Sequence, residues 1–141
     1  MQAVHHQEIL RVGTRGRGPI DITAKISDVV TRSRAKIGTC TIFLRHTSAS
    51  LLIQENADPA VLRDLERWLA QQAPESSSWE HDAEGPDDMP AHARAALLST
   101  SEVIPVTDGK LGLGTWQGVY LWEHRARGHE REVVVHVAGA T

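Results

Sequence analysis

Residues 3 to 12, AVHHQEILRV, mix apolar and polar positions as a half-buried strand does, and the GTRGRGP that follows is a turn-rich break. The spacing then changes. In DITAKISDVVTRSR, Ile22, Ile26, Val29 and Val30 recur on one helical face behind Asp21, a capping residue, and predict an amphipathic helix of about three turns. Thr39 to Leu44 is β-branched and apolar enough for a buried strand, and it runs into HTSASLLIQEN, where polar groups interrupt the apolar pattern. Asp58-Pro59 is a cap followed by a first-turn proline. Behind it Val61, Leu62, Leu65, Trp68 and Leu69 repeat at helical spacing up to Pro74, which predicts a second helix.

The segment APESSSWEHDAEGPDDM has almost no aliphatic residues and reads as a long loop, a length that is usually functional or disordered inside a compact domain. Pro90 opens a short helix, PAHARAALL, with His92 in its first turn. The remainder is β in character: EVIPV, a turn at Asp108-Gly109, LGLGTWQGVYLWEHR, a turn at RARGHE, and EVVVHVAG, read as two successive hairpins. The outline is β-α-β-α-α-β-β-β. It predicts an α+β fold, a largely antiparallel β-sheet packed with two to three helices, in a single compact domain over residues 1–141.

Composition narrows the function. A chain of 141 residues buries roughly two thirds of its unfolded surface and needs no staple. Fifteen Lys plus Arg against eighteen Asp plus Glu give no positive field for a nucleic-acid backbone, and Arg11, Arg15 and Arg17 read as a solvated loop. No stretch approaches the roughly 20 apolar residues that span a bilayer, and MQAVHHQEIL lacks signal-peptide character. A cytoplasmic protein without nucleic-acid or membrane partners is expected. The single cysteine, Cys40, sits in apolar CTIFL and reads as a buried structural thiol. Eight His stand against only six aromatics, and His is both the commonest metal ligand and the usual acid/base near neutral pH.

Three constellations gather this chemistry. The first, His46, Thr47, Ser48 and Ser50 with Glu55, Asn56 and Asp58, lies between a strand and a helix start. It suits either an anion held by hydroxyls and N–H groups, or plain turns and caps. The second, WEHDAEGPDDMPAH, packs His81 and His92 among Glu80, Asp82, Glu84, Asp87 and Asp88. Such a set suits Zn²⁺ or Mn²⁺, or Mg²⁺ carrying a diphosphate, and equally an acidic solvated loop. The third ends a strand in Glu123, His124 and Arg125: a carboxylate, an imidazole and a phosphate-binding fork. Strict alternation puts Glu123 and Arg125 on one face and His124 on the other, so the three share a site only where the strand bends. Neither standard nucleotide-binding glycine loop is present, and Ser48 and Ser50 lack the G-x-S-x-G elbow of a hydrolase triad.

Read together, HTSASLLIQENADPAVLRDLERWL, WEHDAEGPDDMPAHARAALL and GKLGLGTWQGVYLWEHR resemble the YjbQ family of secondary thiamine-phosphate synthase enzymes, in the same order and over nearly the whole chain. The resemblance implies a homotrimer whose site forms where the polar blocks meet, and an activity joining a hydroxymethylpyrimidine diphosphate to a thiazole phosphate with release of diphosphate. It places weight on His46, Ser48, Glu55, Asn56 and Asp58, then on His81, Asp82, Asp87, Asp88 and His92, then on Thr115, Trp116, Gln117, Glu123, His124 and Arg125. Departures are mild: Gln54 stands where Asn is expected, and Ser99-Thr100-Ser101 where a glycine-containing turn is expected.

On this reading His81, His92 and His124 hold a divalent metal (Zn, Mn or Mg), and His46, Glu123 and Asp88 are the candidate catalytic groups. Ser48, Glu55, Asn56, Asp58, Thr115, Trp116, Gln117 and Arg125 bind the phosphorylated substrate, with Trp116 stacking on the pyrimidine. Two alternatives remain: a metal-dependent hydrolase of a small phosphorylated or amide substrate, and a non-catalytic trimeric ligand-binding protein.

Overall fold

The computed structural model of the chain describes residues 1–76 and 78–141; position 77, inside the predicted long loop, lies outside the described residues. Three helices, α1 (Thr23–Ser33), α2 (Pro59–Gln72) and α3 (Asp88–Leu97), accompany eight strands. These are β1 (Ala3–Gly13), β2 (Gly18–Asp21), β3 (Ile37–Leu44), β4 (Ala49–Glu55), β5 (Ser101–Thr107), β6 (Lys110–Leu111), β7 (Gln117–Glu123) and β8 (Glu130–Ala140). The α+β class and the antiparallel pairing are as the sequence predicts. Every paired strand runs antiparallel, but in two sheets: five strands in the order β1-β8-β3-β5-β6, and three in the order β2-β7-β4.

Three short or interrupted strands, β2, β4 and β6, are absent from the sequence outline. The second predicted hairpin also differs, because β7 and β8 are consecutive but do not pair. β7 is the centre of the small sheet and β8 lies between β1 and β3 in the large one. The segment after Glu123 therefore carries the chain from one sheet to the other, which is why the three ionisable residues at the end of β7 part company.

The core lies between the sheets and α1. Ile22, Ile26 and Val29 of the α1 region meet Cys40 and Ile42 of β3, Leu51 of β4, Val119 and Leu121 of β7, and Val133, Val135 and Val137 of β8. Burying each such Val, Leu or Ile contributes about 1.5–3 kcal/mol. Asp21 serves α1 from one residue before its N-cap position, its Oδ1 accepting from the Thr23 N–H at 2.9 Å and from the Thr23 hydroxyl at 2.6 Å. Asp58 caps α2 as the sequence predicts, accepting from the Ala60 N–H at 2.9 Å with Pro59 in the first turn.

A polar link ties α2 and α3 to the small sheet and so places the residues described below. The Arg94 guanidinium, almost fully buried, lies 2.8 Å from both carboxylate oxygens of Glu66, and the buried Trp122 indole N–H donates to the same carboxylate at 3.2 Å.

Close approach is extreme where Gly38 of β3 faces Gly139 of β8. A Cβ on Gly139 would run into the Ile37 carbonyl, and one on Gly38 into that of Ala138. We expect Gly139→Ala to cost about 3 kcal/mol by overpacking, lowering Tm by roughly 10 °C in calorimetry. An unchanged Tm would show that the strands tolerate a wider spacing.

Candidate metal centre

The loop after α2 and the first turn of α3 converge on one carboxylate. Asp88, with a side chain only 5 % exposed, lies at the start of α3, where the helix N-terminus favours negative charge. Its Oδ2 is 2.7 Å from His81 Nε2 and 3.2 Å from His92 Nε2, and its Oδ1 is 2.8 Å from the Arg125 guanidinium. Glu84 approaches His81 Nε2 at 3.1 Å. Asp88 and His92 are four residues apart on one helix, so they share a face. His81, Asp88 and His92 present donor atoms all within 4.8 Å of one another, the one such group among the described residues.

The hydrogen bonds around this group show what it is suited to hold. His92 Nδ1 lies 2.9 Å from the Thr47 carbonyl, which can only accept, so Nδ1 carries a proton. In the neutral ring Nε2 then presents a lone pair, and it points at a carboxylate oxygen. Only a positive charge between them, a proton or a metal ion, makes that arrangement favourable. An imidazole whose outer nitrogen is bound to a carbonyl is also the usual support for a metal-ligating His. Arg125 and the second carboxylate hold Asp88 in turn: Asp87 Oδ2 accepts from Arg125 Nε and from the Ala126 N–H, both at 2.9 Å.

Charge follows the same pattern. The hydrogen bond to Asp88, with the neighbouring Asp88, Glu84 and Asp82 charges, raises the pKa of His81 above its ordinary value. Burial pushes Asp88 up, but His81, His92 and Arg125 outweigh it and hold the carboxyl below its ordinary value. Two imidazole nitrogens and one carboxylate suit Zn²⁺ or Mn²⁺ better than Mg²⁺, which prefers oxygen ligands throughout. His81 and His92 remain 43 % and 32 % exposed, so the group is reachable from solvent.

Other residues singled out by the sequence lie elsewhere. His124 is fully buried, its Nε2 2.8 Å from the Ser50 hydroxyl and its Nδ1 without a partner, and it is not among the grouped donors. Glu123 is also fully buried, and it is saturated. Both its oxygens are held by the Arg131 guanidinium, Thr14 Oγ1 donates to it at 2.7 Å and the Arg125 N–H at 3.1 Å. Burial raises its pKa, but Arg131, Thr14 and the Arg125 N–H prevail and keep it ionised below the usual range. In this arrangement it forms a buried ion pair with Arg131. His46 Nε2 accepts from the Glu132 N–H at 2.9 Å, which occupies the lone pair a general base needs, and burial with the Arg131 charge lowers its pKa. The Ser48 hydroxyl accepts from Arg131 Nη2 at 3.0 Å.

Glu55, Asn56, Asp58, Thr115 and Gln117 do come together, but at the far end of the small sheet. Glu55 Oε2 accepts from the Asp58 N–H at 3.0 Å, and Asn56 Nδ2 reaches the Thr115 and Gln117 carbonyls at 3.3 Å. The alternative of turns and caps describes these contacts. β4 and β7 pair from Ala49↔Glu123 to Glu55↔Gln117, six steps or about 20 Å. His92 meets the chain at Thr47, beyond the Ala49 end. Within one chain Trp116, which sits beside Gln117, is therefore remote from the His81–Asp88–His92 group. Arg125 is the one predicted substrate-binding residue that reaches it. Arg131, which organises Glu123 and Ser48, was not singled out by the sequence; its only signal is a charge eight residues from Glu123 across a turn-rich segment.

His124 gives the fold an acid limit. Burial, then the Arg94 charge, pushes its pKa down from 6.5 to about 3, so between those values the unfolded chain binds a proton that the folded one does not. Stability is fully present above about 6.5 and falls as the pH drops, by roughly 2–3 kcal/mol down to pH 4.5. Glu123, whose folded pKa lies below its ordinary 4.5, adds a further loss beneath that. Urea denaturation of wild type and His124→Leu across pH 7 to 4.5 should show a flatter profile in the variant; equal slopes would place the acid sensitivity elsewhere.

A family model described as UPF0047 protein YjbQ-like matches residues 8–140. A UPF0047 protein of Synechocystis is 59% identical over 135 residues, covering 95% of this chain and 92% of its own. The UPF0047 protein YjbQ of Escherichia coli O157:H7 is 40% identical over 135 residues, covering 95% and 98%. Among solved structures, a YbjQ-like protein of unknown function from Sulfolobus solfataricus superposes with a TM-score of 0.90 at 29% identity, covering 98% of this chain and 99% of its own. The family model spans nearly the whole chain, relatives match it end to end, and the fold is shared: the chain belongs to the YjbQ-like UPF0047 family.

Proposed function

We propose that this protein is a metal-dependent enzyme of the thiamine-phosphate synthase type, joining a hydroxymethylpyrimidine diphosphate to a thiazole phosphate with release of diphosphate. The observation that carries the metal-dependent part of this reading is the convergence of His81, Asp88 and His92 with the outer nitrogen of His92 committed to Thr47. Zn²⁺ or Mn²⁺ bound there supplies the positive charge that a leaving diphosphate requires. The chain supplies the frame: Arg125 and Asp87 fix Asp88, Thr47 fixes the tautomer of His92, and His81 stands at the solvent edge where substrate enters.

A second reading, a metal-dependent hydrolase, is favoured by one feature. Three protein ligands leave a coordination position open for water. The two readings separate in one assay of metal-loaded protein. The synthase reading expects diphosphate release only when both organic substrates are present; the hydrolase reading expects phosphate release from a single phosphoester. Binding of either substrate without any product would support the non-catalytic ligand-binding alternative.

We also propose a homotrimer. Support comes from the outward face of the large sheet, where Ile37 and Val103 are about 60 % exposed and Phe43 nearly half. Assembly is a route by which Thr115 and Gln117 of one chain could meet the metal centre of another. A cytoplasmic location is in keeping with a single cysteine, Cys40, that is free and buried in β3. No helix of the described residues is long and apolar enough to cross a membrane.

A further inference from the structure

Beside the metal centre, the loop between α2 and α3 encloses a recess of about 510 Å³ bounded by Glu75, Trp79, His81, Asp82, Pro86 and Met89. Trp79, His81 and Met89 also line an adjoining hollow of about 540 Å³. His81 thus belongs both to the metal-ligating group and to the wall of the recess. Trp79 is fixed within the loop, its indole N–H donating to the Pro74 carbonyl at 3.0 Å, and it remains half-buried, so part of its ring surface is open to the recess. Glu75, on the rim, is itself held in place by Arg17 at 2.8 Å.

We infer that this recess is the specificity pocket for the organic part of the substrate, a planar heteroaromatic ring carrying an amino group. The argument is chemical. A fixed indole with a thioether and a proline beside it offers flat, polarisable surface for a ring. The Asp82 carboxylate can accept from an exocyclic amine and disfavours a bare anion, whereas Glu75 is already paired with Arg17, so the phosphorylated end of a substrate points the other way, toward His81 and the metal ligands. Trp79 therefore takes the stacking part that the sequence assigns to Trp116, which is 65 % exposed at the opposite end of the small sheet. Identifying the ring with a pyrimidine rests on the synthase reading above; the existence of the ring pocket does not.

The test uses the ¹⁵N-labelled full chain, metal-free, and 4-aminopyrimidine without phosphate as the probe, with cyclohexylamine and inorganic phosphate as comparisons. The Trp79 indole resonance, assigned from its disappearance in Trp79→Leu, is expected to shift saturably with 4-aminopyrimidine and with neither comparison. Affinity, read from the Met89 backbone amide that both tryptophan variants keep, is expected to fall about tenfold in Trp79→Leu, the size of one aromatic stacking contact, and to stay unchanged in Trp116→Leu. Met89→Gln provides a second variant in the same wall and is expected to weaken binding in the same direction. Shifts centred on Trp116, equal response to cyclohexylamine, undiminished binding by Trp79→Leu, or no shift up to the solubility limit would each overturn the inference. Because neither metal nor phosphate takes part, a failure of the metal-dependent reading leaves this result standing, and a failure here leaves that reading standing.

Discussion

Replacing Asp88 by Asn is expected to weaken Zn²⁺ or Mn²⁺ binding by more than about 100-fold while leaving the circular dichroism spectrum unchanged. The substitution keeps the side chain's shape but removes its charge and turns one oxygen into an N–H₂ donor. Oδ2 faces both His81 and His92 and Oδ1 faces Arg125, so an amide that keeps its oxygen on Arg125 turns its N–H₂ toward the ion, and one that turns its oxygen toward the ion sets its N–H₂ against the Arg125 guanidinium. Removing an outer partner of a metal ligand typically costs 10–100-fold in affinity, and Asp88 is one of the proposed ligands. Asp82→Asn, on the same loop but outside the grouped donors, is the matching control and should bind close to wild type. Isothermal titration with each ion measures both, and wild-type affinity in Asp88→Asn would remove the carboxylate from the site.

The largest loss of stability is expected from Arg131→Met. Its guanidinium holds both oxygens of the wholly buried Glu123 and also binds the Ser48 hydroxyl and carbonyl. Breaking a buried pair by removing one partner costs about 3–5 kcal/mol, because the remaining charge is left without compensation. That is a large share of the roughly 5–15 kcal/mol that stabilises an ordinary domain. Combining it with Glu123→Leu should recover most of the loss, since no lone charge then remains. Acid should act differently on the single and double variants, both of which keep His124 and its acid loss. Without Arg131, burial dominates at Glu123 and raises its folded pKa above the ordinary 4.5, so lowering the pH toward that value protonates the carboxyl and regains stability. Chemical denaturation of both variants at pH 7 and pH 5 reads all of this, and a double variant as unstable as the single one would show that the pair is not the source.

Much of the fold is legible in the sequence because its signals are local. Asp58-Pro59 marks the start of α2, and the spacing of Ile26, Val29 and Val30 marks the buried face of α1. β4 is not legible, because Ser50 reads as an interruption in an apolar run. It is buried because its hydroxyl meets His124, 74 residues away. β2 holds only Gly18–Asp21 and includes a proline, so no alternation can develop.

The same distinction applies to the site. Glu123, grouped by residue type with the candidate catalytic residues, is held by Thr14 and Arg131, contacts that no local spacing encodes. His81 and His92 are legible as candidate ligands and Asp88 as a candidate catalytic group, but the helical face that Asp88 shares with His92 is not. Pro90 reads as the helix opening, yet α3 starts at Asp88 because proline is tolerated anywhere in the first turn, where its missing N–H has no partner to lose. Those two residues of difference bring Asp88 onto the same helical face as His92.

The central claim is that His81, Asp88 and His92 form one metal centre and His124 does not belong to it. Elemental analysis of protein purified without a polyhistidine tag, after exposure to Zn²⁺ or Mn²⁺ and removal of excess, tests it most directly. The account predicts about one ion per chain, lost in His81→Ala, Asp88→Asn and His92→Ala alike and retained in His124→Ala. Protein that holds no metal, or that keeps it in the first three variants and loses it in a folded His124→Ala, would contradict it.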